Sequence, residues 1–328
     1  MNVAFFSSKK YDIEYFDRVD TPHSFTYFET SLNKDTLNLT KDFDAVCIFV
    51  NDYADAQVLE GLAKNGVKLV ALRSAGFNNV DLDTAKKLGL TVVRVPTYSP
   101  EAVAEHALAL ILTLNRKIHK AYNRIRESNF SLEGLTGFNI HGKQIGVIGT
   151  GQIGRAFCKI MSGFGCKIVA YDIYEQEDLK QNGITYMSLN DVIASSDIIS
   201  LHCPLTPETH HLLNSETFKT MKKGAMVINT SRGGLIDTTA AIEALKSGQL
   251  GYLAIDVYEQ EENLFFKDLS GSIILDDVII RLLAFPNVIV TSHQGFFTNE
   301  ALDEIARTTV FNIDQFQNGE PLDNEVKS

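Results

Sequence analysis

Short apolar runs alternate with polar stretches of helical periodicity along the first hundred residues. The predicted strands are 2–6, 25–29, 45–49, 68–72 and 91–95, and helical patterns lie between them at 56–65 and 82–88. The runs are apolar throughout rather than alternating with polar residues, which is typical of parallel strands that are buried on both faces. The pattern therefore predicts an α/β domain.

A long apolar helix is predicted to follow this series. Ser99 suits the N-cap position, Pro100 the first helical position, and Glu101 the positive end of the helix dipole. Apolar residues occupy nearly every side of this segment as far as Leu114, so we expect the helix to be mostly buried.

A second alternating series begins at Lys143. Its predicted strands are 144–149, 167–172, 198–202, 225–230, 252–257 and 287–291, with helical patterns such as 239–246 between them. Six strands connected by helices predict a second doubly wound α/β domain. Residues 301–316 have a further helical pattern, and we expect this last segment to pack back on the first domain.

Composition narrows the class of protein. The chain has 328 residues, with 41 Asp+Glu against 30 Lys+Arg and a net charge of −11. The length suggests about two domains, and the acidic balance disfavours nucleic acid or an anionic membrane as a partner. The longest apolar stretch, 107–114, is too short to span a bilayer, and the N-terminus lacks the charge order of a signal peptide. The four cysteines have neither disulfide nor zinc-site spacing, so we expect a cytoplasmic protein with neither disulfides nor a metal site.

A glycine-rich motif indicates a dinucleotide site. Residues 149–154, GTGQIG, follow an apolar strand and open a helical stretch. In this motif Gly149 permits the tight turn, Gly151 lets the backbone approach the pyrophosphate, and Gly154 permits close packing of helix and strand. Asp172 ends the next strand, where a carboxylate would bind the ribose hydroxyls and repel a 2′-phosphate. This predicts NAD rather than NADP. The alternative is an ordinary glycine-rich turn, with Asp172 a plain loop residue.

Polar residues at the carboxyl ends of the second series suggest the chemistry. Ligands bind at these ends in doubly wound sheets. The residues found there are Asp172, His202, Cys203, Pro204, Thr230, Ser231, Arg232, Asp256, Ser292 and His293. The crevice thus collects a fixed cation, carboxylates and an imidazole beside the predicted cofactor.

Reduction of a 2-keto acid by NADH needs these side-chain types. The guanidinium of Arg232 can pair with the substrate carboxylate, and the imidazole of His293 can protonate the carbonyl oxygen. A carboxylate can orient that imidazole and favour its protonated form. The acidic run 259–262 supplies candidates, but spacing does not select among its members.

Each of these residues has a simpler interpretation. Arg232 could be a surface arginine at a strand end, and the acidic run could be a solvated loop. His202 is a rival imidazole, although an apolar strand end favours a packed histidine. His106 and His119 fall on the long helix as structural or exposed residues, and the adjacent pair His210 and His211 has the pattern of a loop.

Eight segments together resemble one known family. They are LRSAGFNNVDL, RVPTYSPEAVAEHALALILTLNR, NFSLEGLTGF, GVIGTGQIG, SLHCPLTPET, INTSRGGLID, DVYEQE and TSHQGFFT. In this order they resemble the D-isomer-specific 2-hydroxyacid dehydrogenases, and within them the bacterial fermentative D-lactate dehydrogenases. They are spread over nearly the whole chain, so the resemblance is far more specific than any single motif.

The resemblance implies a fold and a catalytic triad. The triad would be Arg232, Glu261 and His293, which selects Glu261 within the acidic run. Two doubly wound parallel-sheet domains are implied. Residues 101–297 would form a Rossmann-type NAD-binding domain, and residues 1–100 with 298–328 a flavodoxin-like substrate domain.

The resemblance also implies binding residues and a quaternary state. The NAD contacts would include Gln152, Ile153, Asp172, Cys203, Pro204, Thr209, Thr230, Ser231, Arg232 and Asp256. The backbone amides of Ser74, Ala75 and Gly76 would bind the substrate carboxylate, and Tyr98 would add a hydroxyl. Members of the family usually dimerise through the cofactor domain, so a homodimer or higher oligomer is expected.

One position bears on the substrate. The third strand ends at Phe49, where lactobacillar D-lactate enzymes of the family place a tyrosine. A bulky ring there would admit the methyl group of pyruvate and exclude a branched chain, so we predict reduction of pyruvate to D-lactate. The alternatives are a dehydrogenase for another 2-keto acid, such as 2-ketoisocaproate, glyoxylate or hydroxypyruvate, and an NAD-sensing binding protein. The complete triad favours catalysis.

Overall fold

The computed structural model describes residues 1–327, which divide into two compact units. The first unit consists of residues 1–99 together with residues from Phe296 onward, and the second is Pro100–Gly295. The first unit therefore resumes two residues before the predicted boundary at 298. Among the described residues, no helix combines the length and apolarity that a bilayer crossing requires.

The first unit is built on a five-stranded parallel sheet. Before Ser99 its elements are β1 (Asn2–Phe5), α1 (Lys10–Phe16), β2 (Ser24–Tyr27), β3 (Ala45–Ile48), α2 (Ala56–Lys64), β4 (Leu69–Leu72), α3 (Leu82–Leu88) and β5 (Thr91–Val93), with a 3-10 turn at Leu37–Thr40. The strand order is β2-β1-β3-β4-β5, and every pairing is parallel. This is the flavodoxin-like order.

The central strands of this sheet are buried along their whole length. Every residue of β3 and of β4 is buried. Val46 and Val70 pack into one apolar cluster with Leu59 of α2, while their neighbours in each strand point to the opposite face, as strand geometry requires. Burial on both faces is the physical reason that these strands are apolar throughout.

The second unit carries the longer sheet. Its elements are α4 (Pro100–Arg116), α5 (Ile118–Arg126), β6 (Gln144–Ile148), α6 (Gln152–Gly163), β7 (Lys167–Tyr171), α7 (Glu177–Gln181), β8 (Thr185–Tyr186), α8 (Leu189–Ser195), β9 (Ile198–Leu201), α9 (Ser215–Thr220), β10 (Ala225–Asn229), α10 (Thr238–Ser247), β11 (Leu250–Ile255), α11 (Asp277–Leu283) and β12 (Val288–Val290), with 3-10 turns at Gly233–Leu235 and Glu261–Asn263. The strand order is β12-β11-β10-β9-β6-β7-β8, which is the Rossmann order extended by β12.

Two apolar clusters cover the two faces of this longer sheet. Ile145 and Val147 of β6 pack in one cluster with Ile111 of α4, whereas Ile148 belongs to the other cluster, together with Ile242 of α10. Successive residues of β6 thus point to opposite faces of the sheet. Both faces are covered by helices, as expected of a parallel sheet. The predicted fold class, two doubly wound parallel-sheet domains, is confirmed.

Two local features differ from the simple sequence pattern. The second unit has a seventh strand, β8, which the prediction of six strands missed because Thr185 and Tyr186 form no apolar run. The apolar helix α4 ends at Arg116, because Lys117 adopts a left-handed conformation (φ 52°) before α5 begins. No residue of α5 is buried.

A C-terminal helix completes the first unit. Helix α12 (Asn299–Asn318) begins at the N-cap Thr298, whose side chain accepts a hydrogen bond from the backbone N–H of Ala301. The helix contacts α1 and β4. Tyr15 Oη donates to Asn299 Oδ1 at 2.6 Å, so a hydrogen bond joins α1 to the first residue of α12.

Candidate active site

The turn after β6 is shaped by glycines. Gly149 has φ +94°, and a Cβ there would lie 2.5 Å from the backbone nitrogen of Cys203. At Gly154 a Cβ would lie 2.0 Å from the carbonyl oxygen of Gly149, so a side chain is excluded where α6 packs against the turn. Gly151, the N-cap of α6, faces open space, with no neighbouring atom of the described part of the chain within 4 Å of its Cβ position. The turn thus leaves backbone and helix N-terminus accessible to an anionic group.

Asp172 is held against this turn. Its Oδ2 accepts hydrogen bonds from the backbone nitrogen of Thr150 at 2.5 Å and from Thr150 Oγ1 at 3.1 Å. Its Oδ1 accepts from the backbone nitrogen of Tyr174 at 2.9 Å. Tyr186 of β8 donates to Thr150 Oγ1 at 2.8 Å. Thr150 and Tyr186 thus fix the carboxylate, and neither carries a sequence signal that could have singled it out.

Arg232 is presented by a loop that Asn229 closes. The buried Asn229, the last residue of β10, donates from Nδ2 to the carbonyl of Arg232 at 2.8 Å and accepts from the backbone nitrogen of Ser231 at 3.0 Å. A Cβ at Gly233 would lie 2.1 Å from the backbone of Tyr258. This close approach brings the Arg232 loop against the loop that continues to Glu261. Sequence reasoning missed Asn229, because its role depends on the shape of the loop.

Glu261 and His293 form a hydrogen-bonded pair. His293 Nδ1 lies 2.8 Å from Glu261 Oε1, and the second carboxylate oxygen accepts from the backbone nitrogen of Tyr258 at 2.9 Å. The side chain of His293 is 17% exposed and that of Glu261 21%. The pairing at Nδ1 fixes the ring, and among the described residues no hydrogen bond engages Nε2. The imidazole can therefore present Nε2 to a reacting group.

The loop that carries His293 is fastened by Asp256. The Asp256 carbonyl accepts from the backbone nitrogen of His293 at 2.7 Å, and His293 adopts a left-handed conformation, φ 55°. The buried carboxylate of Asp256 accepts from Thr291 Oγ1 and from the backbone of Gln294 and Gly295. Burial acts to raise the pKa of Asp256, but hydrogen bonds from His106 and Thr291 outweigh it and hold the pKa below its usual range. Asp256 thus holds the backbone of the loop that carries the His293 imidazole.

The remaining candidates of the second unit lie in the loops after β9 and β10. Ser231 Oγ donates to the Cys203 carbonyl at 2.6 Å, and Thr209 Oγ1 donates to the Pro204 carbonyl at 2.7 Å. Both bonds shape the loop after β9. Thr230 Oγ1 is buried with no hydrogen-bond partner among the described residues.

His202 packs against neighbouring side chains of the second unit. Its Nε2 lies 2.9 Å from Ser200 Oγ, and its ring lies 4.9 Å from that of Phe157. Burial lowers the pKa of His202 to about 3, so this imidazole stays neutral and cannot serve as an acid near pH 7.

Comparison with known proteins decides the family. Residues 108–295 match the model described as "D-isomer specific 2-hydroxyacid dehydrogenase, NAD binding domain". A 2-hydroxyacid dehydrogenase A of Aspergillus oryzae is 55% identical over 96% of this chain and 92% of the relative. A D-lactate dehydrogenase of Escherichia coli is 53% identical over 99% of this chain and the whole of the relative. This chain belongs to the D-isomer-specific 2-hydroxyacid dehydrogenases.

One solved structure of the same family is described as a complex with NAD and lactic acid. The D-lactate dehydrogenase of Aquifex aeolicus, described as complexed with NAD and lactic acid, aligns with a TM-score of 0.86 and 36% identity, covering 97% of this chain and 96% of that one. The predicted family membership and the predicted NAD-dependent 2-hydroxyacid dehydrogenase activity are confirmed. The cofactor of this dehydrogenase is NAD.

The residues of the second unit fit that cofactor. The glycine turn has two positions where a side chain is sterically excluded and a third that opens to solvent, as a pyrophosphate requires. Within residues 1–327 the buried hydroxyl of Thr230 has no hydrogen-bond partner, and it lies at a strand end where a ligand can supply one. These features make residues 149–154, Asp172 and Thr230 suitable for holding NAD.

The predicted carboxylate loop lies in the first unit of this dehydrogenase. Ser74 Oγ donates to the Gly76 carbonyl at 2.9 Å, and Arg94 donates to the Ala75 carbonyl at 2.9 Å. Because these bonds engage carbonyl oxygens, they hold the loop without consuming its amide groups. The loop thus keeps N–H donors of the kind that a carboxylate needs.

Phe49 lies in an aromatic group of the same unit. Its ring is 5.8 Å from that of Phe296, and Phe296 is 6.2 Å from Tyr98. The guanidinium of the buried Arg73 lies 4.8 Å from the Phe49 ring centroid and 4.4 Å from that of Phe5. Phe49 is only 8% exposed, so its ring has a fixed place within this unit.

Replacing Asp172 tests the assigned NAD preference. We expect the unmodified dehydrogenase to prefer NADH over NADPH by at least about tenfold in kcat/KM, which corresponds to roughly 1.4 kcal/mol. Asp172→Ala should lower the ratio of kcat/KM for NADH to kcat/KM for NADPH, mainly through KM for the cofactor. The reason is that the charge that repels a 2′-phosphate is lost. Steady-state rates with both cofactors measure it. Asp191→Ala, at an exposed carboxylate of the same unit, should leave the ratio unchanged. Equal use of both cofactors by the unmodified enzyme would refute the role.

Proposed function

We propose that this dehydrogenase reduces pyruvate to D-lactate with NADH. The observation that carries the proposal is the pair formed by His293 Nδ1 and Glu261 Oε1 at 2.8 Å, next to the loop of Arg232. The full-length similarity of this chain to a D-lactate dehydrogenase of Escherichia coli supports lactate as the product.

The proposal gives each member of the triad one task. Arg232 pairs with the substrate carboxylate and orients the carbonyl. When bound in its reduced form, NAD would supply the hydride for the carbonyl carbon. His293 donates the proton from Nε2 to the carbonyl oxygen, and Glu261 stabilises the protonated imidazole through Nδ1. The resulting alcohol carries the former keto oxygen as a hydroxyl.

The two units divide these tasks in the proposal. The second unit is the NAD-binding domain, with contacts from Gln152, Ile153, Asp172, Cys203, Pro204, Thr209, Thr230, Ser231 and Asp256. The first unit is the substrate domain, in which the amides of Ser74, Ala75 and Gly76 bind the carboxylate and Tyr98 adds a hydroxyl. Phe49 limits the size of the carbon-3 substituent. A cytoplasmic location stays a prediction from the sequence.

Substrate choice is tested by comparing 2-keto acids. NADH oxidation by the purified enzyme should be faster in kcat/KM with pyruvate than with 2-ketoisocaproate, phenylpyruvate, glyoxylate or hydroxypyruvate. The product should not be oxidised by an L-specific lactate dehydrogenase. Faster turnover of a larger 2-keto acid would favour the alternative substrate class. Absence of turnover with retained NADH binding would favour an NAD-sensing protein.

Replacing Glu261 tests the acid–base pair. In Glu261→Gln the alkaline loss of kcat/KM for pyruvate reduction should move to lower pH. The sign follows because a neutral amide stabilises a positively charged proton donor less well than a carboxylate does. A pH–rate profile measures this shift. Glu262→Gln, at an adjacent exposed carboxylate, should leave the profile in place. An unchanged profile in Glu261→Gln would count against the pair.

We also propose a homodimer or higher homo-oligomer. An exposed apolar surface lies on α5 and the segment after it, formed by Ile118, Tyr122, Ile125, Phe130 and Leu132, each more than half exposed. Ile118, Tyr122 and Ile125 share one face of α5 by helical spacing, and exposed apolar patches mark interaction sites in soluble proteins. Light scattering should give at least twice the mass of one chain, and Ile125→Glu should lower it. A single-chain mass for the unmodified protein would contradict the proposal.

A further inference from the structure

A second cluster of ligand-type side chains lies outside the triad. His210 and His211 follow β9, and Glu259 follows β11. One donor atom from each of the three side chains lies within 4.8 Å of the other two. The two imidazole rings are stacked, with centroids 3.9 Å apart and an interplanar angle of 23°. Two loops that are distant in sequence thus bring two imidazoles and one carboxylate together.

The carboxylate is oriented by protein groups on both oxygens. Glu259 Oε1 lies 2.6 Å from His211 Nε2. Glu259 Oε2 accepts hydrogen bonds from Thr238 Oγ1 at 2.6 Å and from the backbone nitrogen of Thr238 at 3.1 Å. Supporting hydrogen bonds of this kind hold metal-binding carboxylates in their working orientation.

The histidine pair is held by its backbone. His211 has φ 50°, a left-handed conformation, and its backbone nitrogen donates to the Gly234 carbonyl at 2.8 Å. Its own carbonyl accepts from Asn214 Nδ2 at 2.9 Å. The backbone nitrogen of His210 donates to the Thr206 carbonyl at 2.9 Å. Two adjacent side chains are therefore aimed from a fixed turn, and only their own torsions remain to adjust.

We propose that His210, His211 and Glu259 bind one transition-metal cation of the zinc type. Two imidazoles with one carboxylate and an open position form a donor set that zinc uses in proteins. Imidazole nitrogen also suits copper and nickel, whereas magnesium and calcium prefer oxygen ligands alone. The side chains of His211 and Glu259 are 35% and 25% exposed, so a hydrated cation can reach them and keep a water ligand.

Binding requires only side-chain movement. Bonds of about 2.0–2.2 Å to a tetrahedral zinc place neighbouring donor atoms roughly 3.3 Å apart. His211 Nε2 and Glu259 Oε1 would therefore separate by several tenths of an ångström, and His210 would rotate toward them. A hydrogen bond between His211 and Glu259 alone would need no contribution from His210. The distinctive prediction is therefore that His210 contributes to cation affinity.

A cation bound at this cluster would also affect the loops after β9 and β11, which carry the three ligands. Glu259 precedes Glu261 by two residues in the same loop. A Cβ at Gly234, two residues after Arg232, would lie 3.6 Å from His210 Cδ2. A cation held by all three ligands would cross-link the loops after β9 and β11 next to the Arg232 loop. Because the cation binds the folded protein, it should raise the midpoint of thermal unfolding.

Zn²⁺ titration of the chelator-treated full-length protein tests the proposal. Calorimetry, or competition with a chromophoric chelator, should give one tight site per chain. His210→Gln removes an exposed ligand and keeps the His211–Glu259 bond, and it should weaken Zn²⁺ affinity at least about tenfold, the scale seen for lost supporting groups. The Zn²⁺-dependent rise in the unfolding midpoint should shrink in the same variant.

Matched variants separate this cluster from other metal-binding groups. His141→Gln removes an exposed histidine elsewhere in the second unit and should leave affinity unchanged, and so should His293→Gln in the triad. The visible spectrum of bound Co²⁺ should change in Glu259→Gln, which replaces the carboxylate ligand by an amide. Tight binding that survives His210→Gln but is lost in His293→Gln would overturn the proposal. So would displacement of Zn²⁺ by excess Mg²⁺, or the absence of any tight site.

Discussion

Replacement of His293 by alanine is expected to lower kcat for pyruvate reduction by about 10²–10⁴-fold, the scale of general acid catalysis. The physical reason is the loss of the proton donor whose Nδ1 is held by Glu261 at 2.8 Å. NADH binding should be largely retained, because the glycine turn and Asp172 belong to other loops. Steady-state rates and a fluorescence titration with NADH measure the two effects separately.

The control for this prediction is another histidine of the same unit. His141→Ala, at an exposed position, should leave kcat unchanged. His202 is excluded as the acid, since burial lowers its pKa to about 3 and leaves the imidazole neutral near pH 7. A fall in kcat of less than about threefold in His293→Ala, on the 10²–10⁴ scale expected of a proton donor, would remove His293 from the mechanism.

Replacement of Phe49 by leucine is expected to raise kcat/KM for 2-ketoisocaproate relative to pyruvate by roughly 10–200-fold. A contact of methylene size in an apolar pocket corresponds to about 1–3 kcal/mol. The Phe49 ring is fixed between Arg73 and Phe296, at 4.8 Å and 5.8 Å, so it cannot swing aside for a branched chain. A smaller side chain should relieve that restriction. Paired rates with the two keto acids give the ratio.

Phe43→Leu is the matched control for this change. Phe43 also belongs to the first unit, but its ring packs against Phe28 at 6.1 Å rather than against the aromatic group of Phe49. The ratio should stay unchanged in this control. If Phe49→Leu also leaves it unchanged, the wall of the pocket lies at Phe296 or Tyr98, and Phe296→Leu becomes the informative variant.

The strands were predictable because burial on both faces demands apolar residues. The predicted strand at 45–49 corresponds to β3, and that at 225–230 to β10. Strand β8 could not be predicted, because its two residues pair at the sheet edge and bury little. The end of α4 could not be predicted either, because the sequence around Lys117 is compatible with a continuous helix. The helix is interrupted there by the left-handed backbone of Lys117.

The candidate site was predictable where chemistry and strand ends coincide. Arg232 and His293 follow strands and carry the required groups, but Glu261 could be chosen within its acidic run only through the family resemblance. The supporting residues Thr150 and Asn229 act through hydrogen bonds to loop backbone, which depend on how each loop closes. The contact of His211 with Glu259 joins residues far apart in sequence, so no local pattern signals it.

The split construction of the first unit has a consequence for biosynthesis. Helix α12 covers β4 and α1, yet a ribosome releases those elements long before it makes α12, with the whole of Pro100–Gly295 in between. During that interval the apolar side of β4 has no native cover, and exposed sheet surface of this kind favours aggregation and chaperone binding. Completion of the first unit therefore has to follow synthesis of the whole second unit, and the earliest strands stay without their covering helix throughout that time.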